Sequence, residues 1–176
     1  MRFCIWSGCQ WDRIFEYPAD AVAGLSAEPI QALKPELSSK KALTWAKGVK
    51  RQIVTDEIGC LLSVVIHKAN LHDTKMGYWA MGLATFAYPT LKKICGDGGY
   101  RGSFVYEAYK YFGLEVEISK KLKPHGWQVL PKRWIVERTF AWLNHSRRLS
   151  KDYELTVASA ETLIKISHIH TLLKRL

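Results

Sequence analysis

Cysteine is scarce in this chain, and its four copies are not arranged as a disulfide framework or a zinc site. Cys4, Cys9, Cys60 and Cys95 form no CxxC pair and no Cys/His spacing typical of zinc. The sequence also lacks a secretory signal pattern and any run of about 18 apolar residues that would predict a membrane span. These absences favour a reduced, cytoplasmic setting over the secreted and membrane classes.

Acidic residues are few relative to basic ones, most of all in the C-terminal third. The chain of 176 residues has 26 Lys and Arg against 16 Asp and Glu, which gives a net charge of +10. Between Lys120 and Lys151 the only acid is Glu137, and the basic residues there are Lys120, Lys121, Lys123, Lys132, Arg133, Arg138, Arg147, Arg148 and Lys151. This clustering favours a nucleic-acid partner; the alternatives are a charge that serves only solubility and contact with acidic membranes.

The pattern of apolar residues predicts a mixed α/β domain. Strands are predicted at 52–55 and 61–67, joined by a hairpin turn, and again at 91–95 and 114–118. Helices are predicted at 74–88, 106–112, 132–148 and 159–175. Strands and helices in this order predict a central sheet flanked by helices.

Residues 1–39 follow no clear period. Their first apolar side chains predict a short helix, after which three prolines break any long element. The apolar residues are Phe3, Ile5, Trp6, Trp11, Ile14 and Phe15, and the prolines are Pro18, Pro29 and Pro35. We therefore divide the chain into a divergent segment at 1–39 and a domain at 40–176.

Two carboxylates are candidates for chemistry. Asp97 follows a predicted strand within a glycine-rich stretch, where a ligand can approach the backbone closely; the alternative is a common Asp-Gly turn. Glu137 lies on the flank of a predicted helix, one turn after Arg133; the alternative is an i,i+4 ion pair worth about 0.3–0.5 kcal/mol. Two carboxylates can hold Mg²⁺ or Mn²⁺ while water and phosphate oxygens complete the octahedron.

A site for two metal ions normally needs a third carboxylate. The remaining candidates are Asp20, Glu28, Asp56 and Asp73. Because Asp56 lies in the predicted hairpin turn and Asp73 at a predicted helix start, a structural role explains each of these two better than a catalytic one.

Two longer motifs resemble a known family. Asp97-Gly98-Gly99-Tyr100-Arg101-Gly102 is followed, forty residues after Asp97, by Trp134-Ile135-Val136-Glu137-Arg138-Thr139-Phe140-Ala141-Trp142-Leu143. These motifs are similar to those of DDE transposases of bacterial insertion sequences, and the resemblance extends over about residues 47–176. It implies a ribonuclease-H-like fold, a mixed sheet flanked by helices, in which Asp97 matches the second Asp of the family and Glu137 its Glu.

The chain departs from this family where the first Asp is expected. That Asp usually lies on the opening strand, ahead of the basic entry to the hairpin, but the sequence there is Leu25-Ser26-Ala27-Glu28. Asp20 is the nearest Asp, and it lacks the surrounding motif. An N-terminally truncated or degenerate copy would show this departure. It leaves three interpretations open: an active transposase, a non-catalytic DNA-binding remnant, and an α/β nuclease unrelated to transposition.

The resemblance implies DNA transposition, which is metal-dependent phosphodiester cleavage and strand transfer with Mg²⁺ or Mn²⁺. The partners implied are double-stranded DNA at element ends and target and no membrane, the location is the bacterial cytoplasm with its nucleoid, and a homodimer on DNA stays open. Arg133 matches a basic residue that precedes the Glu, and Asn144 a polar DNA contact. Trp127 or Trp134 could stack on an unpaired base, although core packing explains Trp134 better. The candidate phosphate contacts are Lys47, Lys50, Arg51, Lys120, Lys121, Lys123, Arg147 and Arg148.

Overall fold

The computed structural model describes residues 2–10, 49–119, 132–151, 153–154 and 156–175, and the side chains of 2–10 lie outside this description. The strands are β1 (Arg2–Gln10), β2 (Val49–Thr55), β3 (Leu61–Lys68), β4 (Lys93–Gly96) and β5 (Glu115–Ile118). The helices are α1 (Asp73–Ala87), α2 (Ser103–Phe112), α3 (Arg133–Asn144) and α4 (Val157–Leu173). Single turns of 3-10 helix follow β4 and α3, at Gly98–Tyr100 and Arg147–Leu149.

The five strands form one mixed sheet in the order β3-β2-β1-β4-β5. Strand β2 is antiparallel to both β1 and β3, whereas β1, β4 and β5 run parallel to one another. The carboxyl ends of β1, β3, β4 and β5 therefore point to the same edge of the sheet. The predicted mixed α/β fold is confirmed, and this strand order is compatible with the ribonuclease-H-like arrangement.

The two faces of the sheet are covered by different elements. Gln52 and Arg51 are neighbours on β2, so their side chains point to opposite faces. The Gln52 amide donates to the carbonyl of Asp73 at the start of α1, and it also contacts the hydroxyl of Tyr100. The Arg51 guanidinium donates to the carbonyl of Leu149, beyond α3. Helix α1 therefore lies on one face, and the segment that follows α3 on the other.

Helix α1 approaches the turn after β4 very closely at Gly77. A Cβ atom added to Gly77 would lie 2.7 Å from the ring of Tyr100 and 2.9 Å from the ring of Phe104. Both rings are fully buried, and their centroids are 4.9 Å apart. The absence of a side chain at Gly77 thus lets α1 press on the residues that immediately follow Asp97, and this packing fixes the carboxyl end of β4.

The expected short helix at the N-terminus is wrong for residues 2–10, which form β1. As the middle strand, β1 gains backbone partners on β2 and β4, with Cys4 beside both Thr55 and Cys95. The local spacing of apolar residues does not predict pairing with β2 and β4. The single helix expected at 132–148 is also divided, because α3 ends at Asn144 and a 3-10 turn follows. The domain boundary between residues 39 and 40 stays a prediction.

Across the described ranges, no helix combines the length and the apolar character needed to cross a bilayer.

Candidate functional site

Asp97 lies directly beyond the carboxyl end of β4, half-buried at the edge of the sheet. It caps the 3-10 turn Gly98–Tyr100, because its Oδ1 accepts the N–H of Gly99 at 3.0 Å. Its own carbonyl accepts the N–H of Tyr100 at 3.1 Å. The Asp-Gly turn that sequence offered as the structural alternative is therefore present. It holds the carboxylate in a fixed position while leaving Oδ2 without any role in the cap.

The pKa of Asp97 is affected by burial, by a hydrogen bond, and by one acidic and one basic neighbour. Burial raises its pKa above the ordinary value, and this is the largest effect; the N–H of Gly99 opposes it. The negative charge of Asp73 raises the pKa further, and the positive charge of Arg133 lowers it. A carboxylate held with a raised pKa gains more from a nearby cation than a fully hydrated one does.

Glu137 lies in the second turn of α3, where its side chain is exposed. Arg133, one turn earlier, donates from Nε to Glu137 Oε1 at 2.7 Å. The i,i+4 ion pair that sequence suggested as the simpler explanation is therefore formed. With side chains 38% and 53% exposed, the pair contributes little stability, about 0.3–0.5 kcal/mol at most.

Arg133 links the two candidate carboxylates. Its guanidinium is bonded to Glu137, and its charge is felt by Asp97. The start of α3 is tied to the same side of the sheet by Lys132, which donates to Glu117 on β5 at 2.7 Å. Arg133 thus contacts Glu137 directly, whereas its effect on Asp97 is only electrostatic and is the smallest of the four on that pKa. Within the described part of the chain, however, no three His, Cys, Asp or Glu side chains come together in a group that could hold a metal ion.

The opening strand supplies no third carboxylate. Cys4 of β1 lies beside Cys95 of β4, two residues before Asp97. The sequence of β1, from Arg2 to Gln10, contains neither Asp nor Glu. Among the described residues, β1 therefore adds no carboxylate to Asp97 and Glu137, the two acids that the resemblance predicts as metal ligands.

Two of the candidates for a third carboxylate, Asp56 and Asp73, have structural partners. Asp56 Oδ1 accepts the N–H groups of Ile58 and Cys60, at 3.0 and 2.7 Å, and so closes the β2–β3 turn. Asp73 pairs with Lys50 at 2.9 Å, while its charge also reaches Asp97. Sequence reasoning anticipated the structural role of both residues, but it missed the proximity of Asp73 to Asp97. Asp20 and Glu28 lie outside the described residues.

The candidate DNA contacts occupy different environments. Asn144, Arg147 and Arg148 are exposed, and Arg148 also pairs with Glu154 at 2.9 Å. Arg51 is only 8% exposed and binds the carbonyl of Leu149, so its guanidinium cannot reach a phosphate without breaking this contact. Lys50 is partly buried in its pair with Asp73. The predicted contacts at Lys47, Lys120, Lys121 and Lys123 lie outside the described residues.

Sequence reasoning also missed a stack of aromatic and cationic side chains on α3. The Arg138 guanidinium carbon lies 4.4 Å from the ring centroid of Trp134 and 4.7 Å from that of Trp142. Arg138 also donates to the carbonyl of Ile58 in the hairpin turn at 3.0 Å. The spacing 134, 138 and 142 places all three side chains on one helical face and was the available signal. Trp134 is 44% exposed, so the expectation that it packs in the core is wrong.

The region that contains Asp97 and Glu137 is similar to known proteins. Residues 28–172 match a family model described as a transposase DDE domain. Over 114 residues the chain is 32% identical to a Burkholderia cepacia protein provisionally named as a transposase for insertion sequence element IS402. The alignment covers 61% of this chain and 54% of that relative, so the chain spans about half of the relative's length. The matched residues include both Asp97 and Glu137, whereas β1 precedes them.

Proposed function

Because this chain belongs to the family of transposase DDE domains, we propose that it binds double-stranded DNA and carries out metal-dependent cleavage and strand transfer of an insertion sequence. The DNA partners in this proposal are the element ends and the target, and the protein works at the bacterial nucleoid. A homodimer on DNA would bring two element ends together. The net charge of +10 supports the choice of a polyanionic partner.

The observation that carries this proposal is the link that Arg133 makes between Asp97 and Glu137. A hydrogen bond of 2.7 Å to Glu137 and an electrostatic effect on Asp97 support a common space for the two carboxylates at the carboxyl edge of the sheet. Ligand sites in open α/β sheets gather at this edge. An isolated surface ion pair would involve only one of these acids.

Members of this family generally use divalent metal ions. Asp97 and Glu137 would hold Mg²⁺ or Mn²⁺, which when bound activates water and stabilises charge on the phosphodiester. The protein's own part is positioning. The N–H of Gly99 orients the Asp97 carboxylate, and the rigid helix α3 presents Glu137. Arg133, at the start of the same helix, is suited to hold a phosphate oxygen beside these two acids.

The exposed polar side chains beyond α3 would bind the DNA backbone. Arg147 and Arg148 lie in a short 3-10 turn, where they offer guanidinium groups to phosphates, and Asn144 offers an amide. The turn is anchored because the carbonyl of Leu149 is bound by Arg51. In this proposal Arg51 therefore holds the turn at Arg147–Leu149 in place and does not contact phosphate itself.

The second candidate is a DNA-binding remnant that does not catalyse cleavage. One specific observation favours it: β1 occupies the place of the opening strand but carries no acid. With two carboxylates in place of three, affinity for a second ion and turnover both fall. The remnant would keep the fold and the basic surface, and it would bind DNA with a steep dependence on salt.

Cleavage of an element-end duplex distinguishes the two candidates. Wild-type protein is incubated with the duplex and Mg²⁺ or Mn²⁺, and nicked and joined products are counted on a denaturing gel. Asp97→Asn and Glu137→Gln each remove a negative donor with little change of shape, and we expect product to fall roughly 100-fold or more. Glu115→Gln removes the same charge from a surface pair with Lys93 and serves as the matched control, with unchanged product.

The outcomes separate cleanly. Metal-dependent product that disappears in both site variants and persists in the control supports the transposase. Product that survives both substitutions refutes the assignment of Asp97 and Glu137. DNA binding without any metal-dependent product, in wild type and variants alike, identifies the remnant.

A further inference from the structure

We propose that Arg133 exchanges partners when DNA binds: it leaves the Glu137 carboxylate for a DNA phosphate and thereby frees Glu137 to bind a divalent cation. The inference rests on the function proposed above and adds a positioning role for one residue. DNA and metal then bind cooperatively, and Arg133 carries the coupling.

The first step is that Glu137 already has a cationic partner in the free protein. Arg133 Nε lies 2.7 Å from Glu137 Oε1, one helical turn away on α3. This oxygen is one of the two carboxylate oxygens that a metal ion would use. A divalent cation must therefore compete for Glu137 with the guanidinium of Arg133. Because both residues belong to α3, this competitor is always close to the carboxylate.

The second step is that Arg133 cannot withdraw from this competition by losing its proton. A guanidinium keeps its charge at any ordinary pH. Its positive charge also lowers the pKa of Asp97, as the smallest of the effects on that carboxyl. A cation placed between the two carboxylates would thus meet repulsion from Arg133 in addition to losing one of its ligands.

The third step is that the pair is easily opened. The side chain of Arg133 is 38% exposed and that of Glu137 is 53% exposed, so solvent and a docking ligand can reach both. Exposed ion pairs of this kind are weak. A phosphate accepts two parallel N–H bonds from a guanidinium, which makes it a strong replacement for the Nε contact with Glu137.

The consequence is a reciprocal linkage. If phosphate binding removes Arg133 from Glu137, DNA raises the affinity of the site for metal. Metal must then raise the affinity for DNA by the same factor. An arrangement of this kind would keep the carboxylates neutralised until a substrate arrives.

The test is a measurement of Mn²⁺ affinity with and without DNA. Full-length protein is titrated with Mn²⁺, and the free ion is followed by its electron paramagnetic resonance signal. The titration is repeated with a saturating element-end duplex, and the Mn²⁺ bound by duplex alone is subtracted. For wild type we expect DNA to tighten Mn²⁺ binding about 5–10-fold, a typical size for coupling between sites.

Two variants at Arg133 and one neighbour make the test specific. We expect Arg133→Gln to bind Mn²⁺ more tightly than wild type without DNA and to lose most of the enhancement by DNA. Arg133→Lys keeps the charge but not the planar fork, so its affinity without DNA stays near that of wild type while the enhancement shrinks. Lys132→Gln removes one positive charge from the adjacent residue, which pairs with Glu117, and should behave as wild type.

The failures of the two proposals differ. Equal enhancement by DNA in wild type and Arg133→Gln overturns the partner exchange while leaving a DNA- and metal-binding domain in place. Equal effects of Arg133→Gln and Lys132→Gln overturn it too, since they reduce the effect to net charge. Wild-type protein that binds no Mn²⁺ even with DNA overturns the proposed metal-dependent function itself.

Discussion

His67 is a buried histidine whose protonation opposes folding. It lies on β3, is 3% exposed, and its Nδ1 is 2.9 Å from the carbonyl of Lys68. Burial lowers its pKa to about 4; the contact with Lys68 and the charge of Asp73 act in the opposite direction, and the charge of Lys50 acts in the same direction. The imidazole is therefore neutral in the folded protein at neutral pH, and the Lys68 carbonyl requires the proton to sit on Nδ1.

This histidine predicts a loss of stability in mild acid. An unfolded histidine titrates near pH 6.5 and the folded one near 4, so between these values the unfolded chain takes up a proton that the folded chain does not. Its contribution is complete above pH 6.5 and declines as the pH falls, by roughly 3 kcal/mol at pH 4. Urea unfolding at pH 7, 5.5 and 4 measures the decline.

The matched variants are His67→Asn and His72→Asn. His67→Asn keeps a donor for the Lys68 carbonyl but cannot be protonated, so the free energy of unfolding should fall less steeply with acid. His72 is an exposed helix cap, and asparagine is also a good cap, so His72→Asn should retain the wild-type slope. An unchanged pH dependence in His67→Asn would contradict the assignment.

Single residues also mark the limit of what sequence could foresee. Asp97 and Glu137 are predicted as site residues because their local motifs are distinctive, and the Arg133–Glu137 pair follows from helical spacing. The burial of Arg51 could not be foreseen, since it depends on a carbonyl 98 positions away. The exposure of Trp134 was misjudged because its partner Arg138 holds the ring on the surface of α3.

The elements from β2 onward were predicted with small errors at their ends. Apolar alternation marks β3, and Gly113, in the left-handed region at φ 65°, ends α2 as its position suggested. Strand β1 was missed for a different reason. Its pairing partners lie at 49–55 and 93–95, and although Phe3, Ile5 and Trp6 favour a strand, its nine residues do not indicate a central position in the sheet. Long-range pairing, which local patterns do not encode, decided its conformation.

Helix α4 protects the outer edge of the sheet. Strand β3 is an end strand, and two of its N–H groups are bonded by side chains of α4. Glu161 Oε1 accepts from Ile66 at 3.0 Å, and His168 Nε2 accepts from Leu61 at 3.0 Å. Uncovered edge strands pair with other chains, so these two side chains limit aggregation as well as anchoring α4.

Removing the Glu161 acceptor should therefore weaken the edge. We expect Glu161→Ala to lower the free energy of unfolding by about 1 kcal/mol or more, because the N–H of Ile66 loses its partner. Light scattering at high protein concentration should rise in the same variant. Glu161→Gln keeps an oxygen acceptor and should lose much less. Equal losses in both variants would show that the charge of Glu161, and not the edge contact, stabilises the helix.

For the molecule as a whole, family membership and net charge independently agree with the DNA partner proposed above. The family match identifies a transposase DDE domain, while the excess of ten positive charges predicts a polyanionic partner without reference to any family. Several cations already form ion pairs within the protein, as Lys50 does with Asp73 and Lys93 with Glu115. The count of 26 Lys and Arg therefore overstates the number of phosphates that the protein can neutralise.

The salt dependence of DNA binding measures that number. Each phosphate contact releases counterions, so the logarithm of the association constant falls against the logarithm of salt concentration with a slope of about 0.9 per contact. Arg147→Gln should reduce the slope by about 1 and weaken binding to all sequences alike. The double variant with Arg148→Gln should reduce it by about 2 if Arg148 leaves Glu154 for DNA, and by about 1 if it does not. Lys93→Gln removes the same charge from a surface ion pair with Glu115 and should leave the slope unchanged. If Lys93→Gln lowered the slope as much as Arg147→Gln, DNA binding would depend on overall charge alone. That result would contradict the proposal that the turn with Arg147 and Arg148 is the DNA interface.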